Sequence, residues 1–142
     1  MNALFLLTSK SDVAYLYDHN DIRQGLARMR IHHYTAIPVI TAAGDYVGCI
    51  SEGDFLWALI DRKDELPDLT IRDLIRPDFN RAAHIDITME TLLERVKVQN
   101  FVPITDDRNK FIGIITRKDV ICYFQQRYEK EAIEDTKPLA VG

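Results

Sequence analysis

One short stretch of this chain occurs twice. Phe111 to Asp119 ends in Gly113-Ile114-Ile115-Thr116-Arg117-Lys118-Asp119, and Tyr46 to Asp54 ends in Gly48-Cys49-Ile50-Ser51-Glu52-Gly53-Asp54. Sliding the chain on itself by 65 residues pairs Pro38 with Pro103, Gly48 with Gly113, Ile50 with Ile115 and Asp54 with Asp119, without a gap. Gly44 and Asn109 fall at the same place in hairpin loops of equal length. They are the two residue types that best tolerate positive φ. A chain built this way folds as two copies of one unit.

Each unit reads as helix, strand, hairpin, strand, helix. In the first, Asp21 is placed to cap a helix through Ile31, on which Ile22, Leu26 and Met29 fall at helical spacing. Strands follow at Ala36 to Ile40 and Tyr46 to Ile50, and Ser51 caps a helix running to about Arg62. In the second, Met89, Leu92, Leu93 and Val96 mark the helix, with strands at Phe101 to Thr105 and Phe111 to Ile115. The link from first helix to first strand is two residues shorter in the second copy, so the 65-residue register is expected to fail upstream of Pro38.

The remaining segments are read from local composition. Val13 to Tyr17 is an edge segment rich in β-formers, and Asp61 to Leu69, with Pro67, is an exposed link. Thr70 starts a short helix over Ile71 to Ile75, and Phe79 to Ile87 enters the second sheet. The expected division is 1–66, 67–134 and a flexible tail over 135–142.

Composition bounds the function. The chain has 142 residues, 46% hydrophobic and 28% charged, enough for one compact domain or two small ones sharing a core. A formal net charge of −4 argues against nucleic acid or an anionic membrane as a partner, because both demand a basic face. The apolar run Ala3 to Leu7 is too short to span a membrane and has no basic region before it, so a cytoplasmic location is expected. Cys49 and Cys122 lack metal-like spacing and read as small buried residues, with no structural disulfide. His32 and His33 have no carboxylate or cysteine at ligand spacing, so no metal is expected. The chain has no nucleophile beside a base and no glycine-rich phosphate loop, so neither an enzyme nor a cofactor is expected.

The repeated turn itself has two readings. A hydroxyl residue three positions before a carboxylate is the pattern of a helix cap. The same helix start, with its unpaired N–H groups and partial positive charge, also suits a phosphate. In the later copy Thr116 and Asp119 are then candidates to hold a ribose and Arg117 and Lys118 an anion. For Arg117, pairing with a neighbouring carboxylate is the competing account.

On these motifs the sequence resembles the tandem cystathionine-β-synthase (CBS) domain, or Bateman module. The signature is an apolar-Pro-apolar strand start followed by Gly-x-apolar-Ser/Thr-x-x-Asp. Here it reads Ile37-Pro38-Val39 with Ser51 and Asp54, then Val102-Pro103-Ile104 with Thr116 and Asp119. A narrower likeness, carried by Val13-Ala14, Tyr34 to Pro38, Asn100-Phe101-Val102 and Thr116-Arg117, is to small stand-alone bacterial CBS-pair proteins that sense cyclic di-AMP.

The resemblance implies an α+β (α/β-type) fold of two pseudo-twofold-related motifs, each a small sheet packed against two helices. It implies a first ligand cleft formed by Val13, Ala14, Tyr34, Thr35, Ala36, Ile37, Pro38, Thr116, Arg117, Lys118 and Asp119. It implies a second, weaker cleft with Ser51, Asp54, Phe101 and Val102, near Ala82 and Ala83, where Glu52 and Gly53 replace the two cations. The function implied is a regulatory module that binds an adenine nucleotide, cyclic di-AMP favoured and AMP, ADP or ATP open. It would act as a homodimer on a separate effector, for which the family suggests a guanosine-tetraphosphate synthetase. The rival is an interaction scaffold whose clefts stay empty and whose turns are helix caps only.

Overall fold

The computed structural model describes residues 1–136. The first unit contains β1 (Thr8–Ser9), β2 (Leu16–Tyr17), α1 (Ile22–His32), β3 (Ala36–Ile40), β4 (Tyr46–Ser51) and α2 (Glu52–Asp61). The second contains β5 (Ala83–His84), α3 (Met89–Val96), β6 (Phe101–Thr105), β7 (Phe111–Thr116) and α4 (Arg117–Thr136). Short 3₁₀ turns lie at Leu4–Leu6, Lys10–Asp12, Lys63–Asp68 and Ile71–Leu74.

The helices start where their capping chemistry dictates. Asp21 and Gln24 form a capping box at α1, as Ser51 and Asp54 do at α2. Thr88 Oγ1 accepts from Thr91 N at α3, and Thr116 Oγ1 accepts from Asp119 N at α4. Gly44 (φ 92°) and Asn109 (φ 61°) both take the left-handed conformation that the two hairpins require.

The strands form two sheets, ordered β2-β3-β4 and β1-β7-β6-β5. In each, the Pro-bearing strand runs parallel to a two-residue edge strand and antiparallel to the strand that leads into the next helix. Ile37, Val39 and Ile50 build one core with Leu16, Met29 and Phe55. Val102, Ile104 and Ile115 build the other with Leu92, Val96 and Val120. The hairpin tips clasp the halves together: Tyr46 N donates to Asn109 O (3.0 Å), Phe111 N donates to Gly44 O (2.9 Å), and Lys110 Nζ pairs with Asp45 at 2.8 Å.

One expectation holds and others need correction. The repeat register does fail upstream of Pro38, and it holds as far as Thr35 and Asn100, where Glu52 N donates to Thr35 O and Arg117 N to Asn100 O. The two-residue difference falls in the turn after α1, where His33 adopts φ 55°. Of Val13 to Tyr17, only Leu16 and Tyr17 form a strand. The link over Asp61 to Leu69 is not wholly exposed, because Leu69 is buried and Leu66 packs on the first core. The helix α4 continues through 135 and 136, and the rest of the expected tail lies outside the described residues.

Packing crosses the 66/67 division in both directions. Thr8 and Ser9 pair with Ile114 and Gly113 of the second sheet, and Ala3 sits in the second core. Leu69 and Ile71 sit in the first core, with Ile71 N bonded to Asn20 O. Among the described residues no helix is long and apolar enough to cross a membrane.

The β1–β7 pairing depends on Gly113. A Cβ there would lie 2.1 Å from Thr8 O, at φ +152°, whereas a Cβ on Gly48 would meet the Ile75 side chain at 2.8 Å. Backbone cannot yield as a side chain can. Gly113→Ala is expected to cost about 3 kcal/mol and Gly48→Ala about 1 kcal/mol, read as the shift in urea midpoint at constant slope.

Candidate functional site

The correspondence between halves locates both clefts. Leu16 and Ala83 pair with equivalent residues of β3 and β6, so counting back three residues places Val13 opposite Asn80. Ala3 and Ile71 make matching backbone bonds to Ile87 and Asn20, which places Leu7 opposite Ile75 and Thr8 opposite Arg76.

In the first cleft, residues 8–15 run from β7 toward β2, with the Lys10–Asp12 turn packed on β7. Val13 is half-buried and Ala14 buried. Tyr34 and Thr35 are exposed just before β3, Ala36 is half-buried, and Ile37 and Pro38 are buried. Strand alternation puts Ala36 and Pro38 on one face and Ile37 on the other. Ile37 and Ala14 both belong to the first core, so their side chains are not available to line a cleft and only their backbone can face one. The same holds for Val102, whose side chain lies in the second core.

Arg117 has a partner here that its sequence neighbourhood does not offer. Its Nε donates to Val96 O at 2.7 Å, and its side chain lines a groove of about 890 Å³ between α3 and α4 with Leu93, Val120, Ile121 and Phe124. No hydrogen bond joins it to Tyr34–Pro38 among the described residues. The physical reason is the C-terminus of α3, whose unpaired carbonyls attract a cation. Glu52, its counterpart, lines the matching groove between α1 and α2 with Leu26, Met29, Tyr34 and Phe55. The next position along the helix faces the turn itself: a Cβ on Gly53 would lie 3.7 Å from Ser51 Oγ. Lys118 holds the corresponding place after Thr116 and is exposed.

Two further cations, missed in the sequence, lie over the ring of Tyr15: Lys10 of the same segment and Arg28 of α1. Lys10 Nζ and the Arg28 guanidinium lie 5.3 and 5.8 Å from the Tyr15 ring centroid. Tyr15 in turn meets the Phe111 ring edge-on at 6.3 Å. Arg28 was legible only through the repeat, because it occupies on α1 the place of Arg95 on α3.

The second cleft differs in chemistry. Asp54, only 8% exposed, accepts from Ser51 N and Oγ and from Arg76 Nε at 2.7 Å. Asp119 has no such side-chain partner among the described residues. Glu52 and Gly53 do not leave this turn without a cation, since Arg76 from the intervening segment pairs with Asp54. Burial and then the nearby Arg81 charge hold Arg95 below the ordinary guanidinium range. Arg81, Arg95, Phe79, Asn80 and Gln99 line a hollow of about 660 Å³. Next to it, burial drives the Tyr46 phenol well above its ordinary range and pushes the Cys49 thiol up to about 11.

Two pseudo-twofold β-α units, each with a hydroxyl-capped helix start, define a tandem module. The chain belongs to the CBS domain family, whose model matches residues 7–61 and 68–125. The fold is similar to that of CbpB in complex with c-di-AMP, with a TM-score of 0.87 and 22% identity over 94% of this chain and 91% of that one. It is similar also to CBSX2 in complex with AMP, with a TM-score of 0.72 and 22% identity over 89% and 98%. A relative by sequence is inosine-5'-monophosphate dehydrogenase of Methanocaldococcus jannaschii, 24% identical over 89% of this chain. The chain spans about a quarter of that enzyme's length.

The two cysteines differ in their access to solvent. Cys49 is fully buried and remains a thiol at pH 8, whereas Cys122 is half-buried. Only the thiolate reacts. Iodoacetamide at pH 8 is expected to modify Cys122 and to reach Cys49 only in denaturant, as peptide mass spectrometry will register.

Proposed function

We propose that the protein is a regulatory module that binds an adenine nucleotide in its first cleft and reports occupancy to a separate protein. The observation that carries this reading is the asymmetry between two equivalent carboxylates. Asp54 is taken by Arg76, while Asp119 keeps its oxygens for a ligand, as a ribose requires. In this reading Thr116 and Asp119 hold the ribose, and Tyr34, Thr35 and Ala36 offer backbone and surface to the base. Lys118, Lys10 and Arg28 supply the positive charge for phosphate. Cyclic di-AMP is the favoured ligand, supported by the likeness to CbpB, and the likeness to CBSX2 keeps AMP in play.

Signalling requires that an effector bind the filled and empty states with different affinity. A guanosine-tetraphosphate synthetase is the effector we propose to test first. The assembly is a homodimer: Leu26, Leu56 and Ile60 on one helix pair, and Leu93, Ile121 and Phe124 on the other, form two matched exposed apolar faces. A second copy carries the same two faces and covers both.

A thermal-shift panel of cyclic di-AMP, AMP, ADP and ATP tests the ligand, since a ligand at 100 times its Kd adds about 2.7 kcal/mol of stability. No shift with any nucleotide would favour the scaffold reading. Lys118→Ala removes one charged hydrogen bond, about 1.5–3 kcal/mol, and is expected to weaken binding about ten- to a hundredfold by calorimetry. Arg117→Ala is expected to change it less than about threefold, because its guanidinium is committed to Val96 O. Replacing Leu56 and Ile121 with Glu is expected to leave a monomer in light scattering.

A further inference from the structure

The first cleft and the second are equivalent in backbone, yet the segment beside each is not. Beside the second, Arg76 Nε bonds Asp54 Oδ1 at 2.7 Å and its NH2 group reaches Ser51 Oγ at 3.4 Å. The same guanidinium stacks over the Phe79 ring, 4.2 Å from its centroid. Four residues on, Asn80 takes φ 56° and crosses from one half to the other. Its Nδ2 donates to Cys49 Sγ at 3.3 Å, its Oδ1 accepts from Gln99 Nε2 at 2.8 Å, and its carbonyl accepts from the Tyr46 hydroxyl at 2.7 Å. Cys49 belongs to the strand that ends at Ser51, and Gln99 to the approach to β6, so these bonds span the cleft from wall to wall. No buried side-chain polar atom is left without a partner among the described residues.

We propose that the segment from Arg76 to Asn80 is a built-in occupant of the second cleft, a latch that excludes nucleotide from it. Arg76 takes the carboxylate and hydroxyl that would hold a ribose, and Asn80 bars the gap between the turn and β6. Asn80, Arg81 and Arg95 line one hollow with Phe79 and Gln99, and neither Ser51 nor Asp54 belongs to its lining. The corresponding residues beside the first cleft are Thr8 and Val13. Thr8 has no charge to engage Asp119, and Val13 has no hydrogen-bonding side chain to bridge the walls. The latch is thus a property of the sequence of one linker, placed outside the repeated motif. Nucleotide enters the second cleft only when Arg76 releases Asp54.

This inference rests on the reading of the clefts as nucleotide sites, and its test separates the two. The full chain and the Arg76→Ala/Asn80→Gly variant are titrated in a calorimeter with AMP and with cyclic di-AMP. Glycine is chosen at Asn80 because it keeps the left-handed backbone. Arg76 is about half exposed, and a single variant, Arg76→Gln, serves if the double one folds poorly. The expected result is one more nucleotide per chain than the unaltered protein takes up, with Cys49 alkylated at least tenfold faster. Adding Lys118→Ala should leave the extra equivalent in place, and adding Asp54→Ala should abolish it. An unchanged count in the variants, or two equivalents per chain already in the unaltered protein, would overturn the latch. If the unaltered protein takes up none and the variant one, the latch stands and the reading of the first cleft falls; none in either overturns both.

Discussion

Two backbone hydrogen bonds hold the halves of this protein in register: Tyr46 N to Asn109 O and Phe111 N to Gly44 O. They are the same bond made twice about a pseudo-twofold axis. Each needs a left-handed residue at the hairpin tip, which explains glycine and asparagine at equivalent positions. The stacked rings of Tyr46 and Phe111, 6.2 Å apart, and the Lys110–Asp45 pair extend the clasp. The edge strands of these three- and four-stranded sheets are only two residues long, and pinning the two hairpins tip to tip joins the two layers into one body. Because the axis passes through the clasp, a cleft on one side implies its counterpart on the other.

Equivalent backbones do not make equivalent sites. The hydroxyl-capped helix starts repeat faithfully, since capping satisfies the local demand of unpaired N–H groups. The charges around them do not repeat. Glu52 and Arg117 have opposite sign at the same position, and each turns into the groove between its own pair of helices. The segment before each sheet differs more: Thr8 and Val13 on one side, Arg76 and Asn80 on the other. Duplication set the frame, and the segment outside the repeat set which of the two equivalent carboxylates is paired.

Much of this was legible in the sequence, because strands, caps and hairpin tips follow from residues within one turn of each other. The pairing of Pro38 with Pro103 and of Gly44 with Asn109 sufficed to place the strands, and Asp21 and Ser51 placed two helices. What was not legible depended on contacts distant in sequence. Nothing near Arg117 announces that Val96 O, 21 residues earlier, will hold its guanidinium. Arg76 lies outside the motif, just past the short helix over Ile71 to Ile75, and its pairing with Asp54 spans 22 residues. Ile37 and Ala14 read as cleft walls by resemblance, but core packing claimed their side chains.

The exchange of short segments across the two halves bears on how the chain reaches this structure. Thr8 and Ser9 are made early in synthesis, yet their partners Ile114 and Gly113 come more than a hundred residues later. The first sheet has all its strands once β4 has emerged, but Ile71 completes the core beneath it only afterwards. The second sheet must wait for β7 and then recover the N-terminal strand. Pairings of such long sequence separation are slow because closing the loop costs entropy before any contact rewards it. The N-terminal ten residues should therefore be the last piece to dock during folding on the ribosome, leaving the flank of β7 open until then.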